Sequence, residues 1–454
     1  TTSVGSIKFY LTDLIFSNPV GRSINTGDGK VSAQINNIKV EQEENLPLQW
    51  AANVSTFDVL DFRFDSLGKS KANLLLNSGS LKNLNISSTN ILDLQHLVGT
   101  NSAFQVSRLT GLYSTTATNF KWSNASFNRS NNIFTLDSFS LIPALSKDSF
   151  LTTQQFQTDY ITIQSGAIRL GPVDLETFVK NKSLYVKRAA IDKLIFTDYK
   201  DKQLPMNPGI IKPLAVKMLK KVPYKIAVDT VLVTDANVIY TEVSEKTKLA
   251  GTIPLTRMNV KLTAVKNFNI KPTDSLGIVA TGYLMDTAWV RLRVKESYTD
   301  TLGSFLMTMV VKPFDLRILN PVLIPLASAK VESGFLDTIS MRAIGREYLS
   351  WGEMQMFYYD LKIRILKNGD EKKKGILNGL INFLANSFVI KNKNTSRTGN
   401  IFFIRQRDKS AINYLIKIAM SGMASSVGAK NNKKMLRRYK NELKERNLPP
   451  IDFE

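Results

Sequence analysis

The chain has 454 residues, 43% of them hydrophobic and 22% charged, an ordinary balance for a folded protein that argues against global disorder. It holds no cysteine and a single histidine, which excludes disulfide staples, thiol catalysis, Cys-ligated zinc and His-rich metal sites. The formal net charge of +22 favours anionic partners but does not choose among nucleic acid, acidic polysaccharide and lipid head groups.

The chain enters on a strand-like stretch at residues 7–16, and Thr1 to Gly5 carry no initiator methionine, basic n-region or apolar h-region. A fragment or processed form is therefore expected, with any signal or anchor upstream. No run of about eighteen apolar residues occurs, so no transmembrane helix is predicted. Glu41, Glu43 and Glu44 cluster in one loop without partners that would split their acidities. Leu60, Phe62 and Phe64 alternate with Asp61, Arg63 and Asp65, the period of a half-buried strand. His96 lies in an amphipathic LDLQHL stretch, where a structural role fits better than a catalytic one.

Strand openings of one kind recur at Asp159 and Asp229, a weak internal repeat. Two short helices are predicted, at residues 173–180 and at residues 210–221, the latter limited by Pro213. Alternation then returns. Met258, Val260, Leu262 and Ala264 form one apolar set; Ala288, Val290, Leu292 and Val294 form a second; Phe357, Tyr359, Leu361, Ile363 and Ile365 form a third. Turn signals separate such runs at residues 25–29, at Ser165-Gly166 and at residues 367–370.

The character changes near residue 371. Lys372, Lys373 and Lys374 precede an apolar helical segment at residues 375–390, a strand at 401–405 and a second apolar helix at 410–427. A basic tail follows, with Lys433, Lys434, Arg437 and Arg438. The small residues of the second helix favour packing on the sheet, where it would cover the last strand's edge. For the first helix, packing and membrane contact are equally open.

Many strands and few crossovers predict a mainly β, antiparallel meander in which each strand pairs with its sequence neighbours. Three regions follow: residues 1–150, 151–370 and 371–454, the last being helical with a basic end.

Residues 313–326 read PFDLRILNPVLIPL and are followed by VESG at 331–334. With the NVIYTE strand at 237–242, GEMQMFYYDL at 352–361, and Gly422, Ser426 and Gly428, they resemble AsmA-like (TamB-like) bacterial envelope proteins of the Bacteroidota type. The likeness covers residues 130–428; residues 1–130 match only in texture. The resemblance implies a long curved antiparallel sheet, open along one side as an apolar groove (a β-taco). It also implies a periplasmic protein, anchored to the inner membrane by an upstream helix, that bridges the two membranes and carries phospholipid. On that reading Met258, Val260, Leu262, Ala288, Val290, Leu292, Val294, Phe357, Tyr359, Leu361, Ile363 and Ile365 line the groove. Lys372, Lys373, Lys374, Lys433, Lys434, Arg437 and Arg438 meet head groups or a membrane surface, and other envelope proteins are further partners.

The same alternation also fits a filled sandwich core, which makes a non-transporting assembly scaffold the alternative. No HExxH, P-loop or GxSxG occurs, so an enzyme, a metal and a cofactor are not expected. A carbohydrate-acting enzyme would need two carboxylates meeting in a cleft lined by Trp or Tyr, and the four Trp residues are scattered. No aromatic-plus-basic signature points to nucleic acid.

Overall fold

The computed structural model describes residues 2–11, 14–17, 23–26, 30–42, 47–66, 71–89, 103–207, 209–366, 391–428 and 431–445. For residues 2–26, and for 64–66, 71 and 179, only the backbone is described. His96, Glu43, Glu44, Lys372, Lys373, Lys374, the segment 375–390 and the turn at 367–370 lie outside the described residues. The protein is mainly β, with long antiparallel strands, a few short helices and a longer helix near the C-terminus. It divides into two compact units. Thr1–Phe150, Thr162–Leu194 and Pro223–Leu232 form the first; Leu151–Ile161, Ile195–Val222 and Val233–Glu454 form the second.

In the first unit, strands Lys30–Glu41, Gln49–Ser66, Lys71–Ser87, Ala103–Ser114 and Thr118–Asn128 pair antiparallel in sequence order. This is the meander that period-two alternation predicts. Two short strands depart from strict neighbour pairing. Ile133–Leu136 and Ser138–Pro143 both pair with Thr118–Asn128, and Ile133–Leu136 also pairs with Ile168–Val173. Ile168–Val173 in turn pairs with Ser183–Asp192. The helix predicted at residues 173–180 is Leu175–Asn181, where the Asp174 carboxylate accepts from Thr177 N–H at 2.9 Å and caps the first turn.

The second unit contains a departure from antiparallel pairing. Ile195–Asp201 runs parallel to residues 237–243 of the strand Lys225–Val243. A parallel pair needs a long crossover, and residues 202–222 supply it. The helix within that crossover is Ala215–Lys220, shorter than the predicted 210–221 because Pro213 keeps the preceding residues out of it. The remaining strands then pair antiparallel in order: Ala250–Lys266, Ser275–Leu284, Ala288–Ser297, Phe305–Val311, Ala329–Gly345, Leu349–Ile365 and Thr398–Ile404.

The DLRILNP stretch is a local structural device. Asp315 accepts from Arg317 N–H and starts a single 3-10 turn, Leu316–Leu319. Helix Asn320–Ala327 follows, with Pro321 in its first turn, where no N–H is needed. The Asn320 side chain donates to Val331 O at 2.9 Å and accepts from Val331 N–H at 2.8 Å, which fastens the helix to the next strand.

The final strands are covered on both faces. Helix Ala411–Ser426 lies on Met354 and Ile401, while helix Asn432–Glu445 sets Leu436, Tyr439 and Leu443 on Leu349, Trp351 and Phe402. Strand Leu349–Ile365 is accordingly buried continuously from Leu349 to Gly352. The first of these helices also covers the sheet edge, through specific side-chain contacts. Ser425 Oγ accepts from Asn400 N–H at 3.0 Å, and Ser421 Oγ accepts from Phe402 N–H at 3.3 Å. Ser421 donates to Phe402 O at 2.8 Å, and from the second helix the Asn432 amide donates to Asn400 O at 2.7 Å. The N–H and C=O groups of Asn400 and Phe402 are thereby paired, which blunts a template for edge-to-edge aggregation. Close approach requires glycine here: a Cβ on Gly422 would meet Met354 Cε at 2.8 Å.

Candidate functional site: apolar rows and the charged groups beside them

Cross-strand register turns scattered apolar residues into continuous rows. In the second unit Val260 stands opposite Ala280, then follow Leu292, Met309, Met341 and Met354 on successive strands. A parallel row runs Leu262, Ile278, Val294, Met307, Ala343, Gly352 and Ile401. In the first row Val260 and Leu292 are half-buried, whereas Met309, Met341 and Met354 are buried, Met354 completely so beneath helix Ala411–Ser426. The helix therefore fills one end of this face, and the other end stays half-exposed.

Of the residues predicted to line a groove, Ala288, Val290, Leu292 and Val294 share one face and belong to, or pack against, the main buried cluster. Val260 and Leu262 join their rows half-buried, and Met258 leans on Gly282 at a bulge. The third predicted set does not share one face. Asp360 has φ +55° and the register shifts beside it, so the face changes there. Leu361 and Ile363 continue the buried face of Met354, Met356 and Tyr358, and Ile365 alternates with them. Phe357 and Tyr359 lie on the opposite face, where Tyr359 sits 5.4 Å from the Phe335 ring.

The first unit holds a row that sequence reasoning missed. Val31, Val59, Gly79, Val106, Phe127, Phe134, Leu170 and Ala189 stand opposite one another in turn across adjacent strands. Ala33, Phe57, Leu81 and Phe104 form a second row beside it, and Phe104 meets Phe127 at 5.7 Å. At about 4.8 Å per strand, the longer row runs about 34 Å. Most of its side chains are half-buried. Among the described residues, the three contiguous buried apolar clusters all lie in the second unit. The hairpin turn at residues 129–132, flanked by Phe127 and Phe134, was the available signal for this pairing.

Two ionic networks sit in the second unit. In one, Asp159 accepts from Lys200 and Lys212, each at 2.7 Å. Burial pushes its carboxyl up, but the two lysines prevail and hold it below the usual value. Asp198 nearby lacks such pairing; burial, helped by the Asp159 charge, pushes it up to about 6. Glu242 takes Lys202 at 2.6 Å and the Tyr240 hydroxyl at 2.6 Å. The pKa of Lys417 is lowered by burial and then by the charge of Lys202, against the opposing charge of Glu242.

In the second network Glu347 holds three cations: Lys217 at 3.0 Å, Arg405 at 3.3 Å and Arg407 at 3.6 Å. The Arg405 side chain is fully buried, and its guanidinium also donates to Lys212 O at 2.5 Å. Glu296 is held by Val216 N–H at 3.1 Å, yet burial pushes it up to about 7. The two raised carboxylates belong to different networks: Asp198 faces Asp159, Lys200 and Glu242, while Glu296 faces Arg405 and Glu347. Among the described residues no group of His, Cys, Asp and Glu is arranged to hold a metal ion.

The Glu296 shift has a measurable consequence. A carboxyl raised from 4.5 to about 7 by folding contributes stability in full at acid pH, and this is lost as pH rises through 7. Glu296→Gln keeps an acceptor for Val216 N–H without the charge. It should flatten the pH dependence of chemical unfolding between about pH 5 and 8 and stabilise the protein at pH 8 by up to about 3 kcal/mol. An unchanged slope would show that Glu296 does not titrate this way.

A cleft of about 570 Å³ opens between helix Asn432–Glu445 and the sheet. Arg342, Lys433, Arg437 and Lys440 line it beside a single carboxylate, Glu353, over a floor that includes Ile344, Trp351 and Leu436. Of the predicted head-group residues, Lys433 and Arg437 thus meet in one cleft. Arg438 instead faces Glu442 at 3.7 Å in the open, and Lys434 is exposed outside the cleft. The contribution of Arg342, ninety residues upstream, was not legible from the tail alone.

Among the described residues no helix is long and apolar enough to cross a membrane. No protein-family model matches the chain, and neither a curated protein nor a solved structure matches it.

Proposed function

We propose that this chain is a non-enzymatic lipid carrier of the bacterial cell envelope, AsmA-like in kind. It would bridge the inner and outer membranes in the periplasm and hold phospholipid acyl chains along an apolar β groove. The observation that carries this reading is the row from Val31 to Ala189, whose side chains are apolar on every strand but that of Gly79 and which runs across the strands rather than along one of them. A bilayer's hydrocarbon core is about 30 Å thick and holds two chains end to end, so a strip of about 34 Å exceeds one acyl chain. Each methylene taken from water onto it contributes about 0.8 kcal/mol. The cleft of Arg342, Lys433, Arg437 and Lys440 suits the charge of an anionic head group. A scaffold that assembles envelope components is the second reading. It draws on the filled end of the second unit's rows beneath helix Ala411–Ser426.

Fluorescent phospholipid transfer between liposomes tests the proposal. The chain should accelerate transfer, and Val106→Asp with Phe134→Asp should slow it about tenfold, because an acyl chain crossing either carboxylate leaves a charge desolvated. Transfer at the uncatalysed rate, or at an equal rate with the variant, would favour the scaffold.

A further inference from the structure

One end of the second unit's sheet carries an exposed apolar rim that neither the rows nor the basic cleft uses. The turn between Ala288–Ser297 and Phe305–Val311 exposes Leu302 at 50%, and the turn between Ala329–Gly345 and Leu349–Ile365 exposes Tyr348 at 60%. The last strand ends on Ile404, exposed at 61%. Ile211, before helix Ala215–Lys220, Met218, within it, and Ile412, at the start of helix Ala411–Ser426, are also exposed. Single exposed apolar residues are ordinary, but a concentration of them at one end of a sheet is a patch.

Direct contacts bring these segments together. Glu347 N–H donates to Leu302 O at 3.1 Å, and Arg405 N–H donates to Tyr348 O at 2.7 Å. Lys212 N–H donates to Arg407 O at 2.8 Å, which ties the 210–218 segment to the loop after Ile404. The Arg407 guanidinium lies over the Tyr348 ring at 4.8 Å, and Lys217 reaches Glu347.

The chemistry of the rim selects its partner. Lys217, Lys220, Lys221, Arg346, Arg407 and Lys409 stand among the apolar tips, against Asp300, Glu347 and Asp408. The positive excess favours an anionic surface. The apolar groups are separate tips on separate turns, interleaved with cations, rather than one flat face. Such tips enter the shallow interfacial layer of a bilayer while lysine and arginine heads stay at the phosphates.

We infer that this rim docks the second unit on the surface of an anionic lipid bilayer. The inference goes beyond lipid carriage and does not depend on it. A protein can bind vesicles without transferring lipid, so the two fail separately.

Flotation of the full chain with vesicles tests it. Vesicles of phosphatidylcholine and phosphatidylglycerol should carry the protein upward, and vesicles of phosphatidylcholine alone should carry far less. The variant Leu302→Asp/Tyr348→Asp/Ile404→Asp should bind the anionic vesicles at least about tenfold more weakly, with unchanged thermal unfolding, because the three side chains are exposed. As a check independent of that variant's folding, Leu302→Trp should shift its emission to the blue on anionic vesicles. Absence of wild-type flotation would overturn the inference, as would equal binding by the triple variant or an unshifted Leu302→Trp emission. It would also fall if sedimentation showed a dimer that the triple variant loses while no vesicle binds.

Discussion

Replacing Gly422 by leucine is expected to destabilise the second unit by about 3 kcal/mol or more, although helix propensity alone would reward the change by about 1 kcal/mol. A Cβ at this position would meet Met354 Cε at 2.8 Å and Ile401 Cγ1 at 3.0 Å, and leucine adds three further carbons. Met354 and Ile401 are themselves fully buried, so neither can move aside cheaply. The helix Ala411–Ser426 would have to lift, which withdraws Ser421 and Ser425 from the backbone of Thr398–Ile404. Urea unfolding should show a lower midpoint, and light scattering should show self-association through the uncovered edge. Gly422→Ala should produce the same effects on a smaller scale. A leucine variant as stable as the native chain would show that the helix is not seated as described.

Replacing Glu347 by alanine is expected to cost about 3–5 kcal/mol, because it strands a buried guanidinium. Arg405 has no exposed side-chain surface, and Glu347 is the carboxylate that neutralises it at 3.3 Å while also holding Lys217 and Arg407. The carbonyl of Lys212 accepts from Arg405 but carries no charge to offset it. Glu347→Ala with Arg405→Leu should recover most of the loss, since removing both charges removes the desolvation penalty together with the pairing. Equilibrium unfolding of the single and double variants measures this coupling. Equal losses in both would mean that the pair is not the source of the effect.

Elements whose physics is local were readable from the chain, and elements whose physics is long-range were not. Alternation of Ala288, Val290, Leu292 and Val294 needs only the pleat of one strand, and the four lie on one face. Helix Ala411–Ser426 was legible from its apolar stripe and small residues, which the contacts of Gly422 and the Ser421 and Ser425 hydroxyls use directly. The face change at Asp360 was not legible, because period-two reading assumes a regular strand and one bulge exchanges its faces. The parallel strand Ile195–Asp201 was also hidden, since its partner begins across a crossover that contains a helix. The row from Val31 to Ala189 draws one residue from each of several strands, so it exists only once every register is known. The Glu347 network likewise joins Lys217, Glu347 and Arg405, which are remote in sequence and carry no shared motif.

Native mass spectrometry of the intact purified chain tests lipid carriage most directly. The expected spectrum shows the protein with co-purified phospholipid, and Val106→Asp with Phe134→Asp removes the adducts while leaving the fold intact by circular dichroism. A spectrum of lipid-free protein that stays lipid-free after incubation with phospholipid vesicles would contradict carriage.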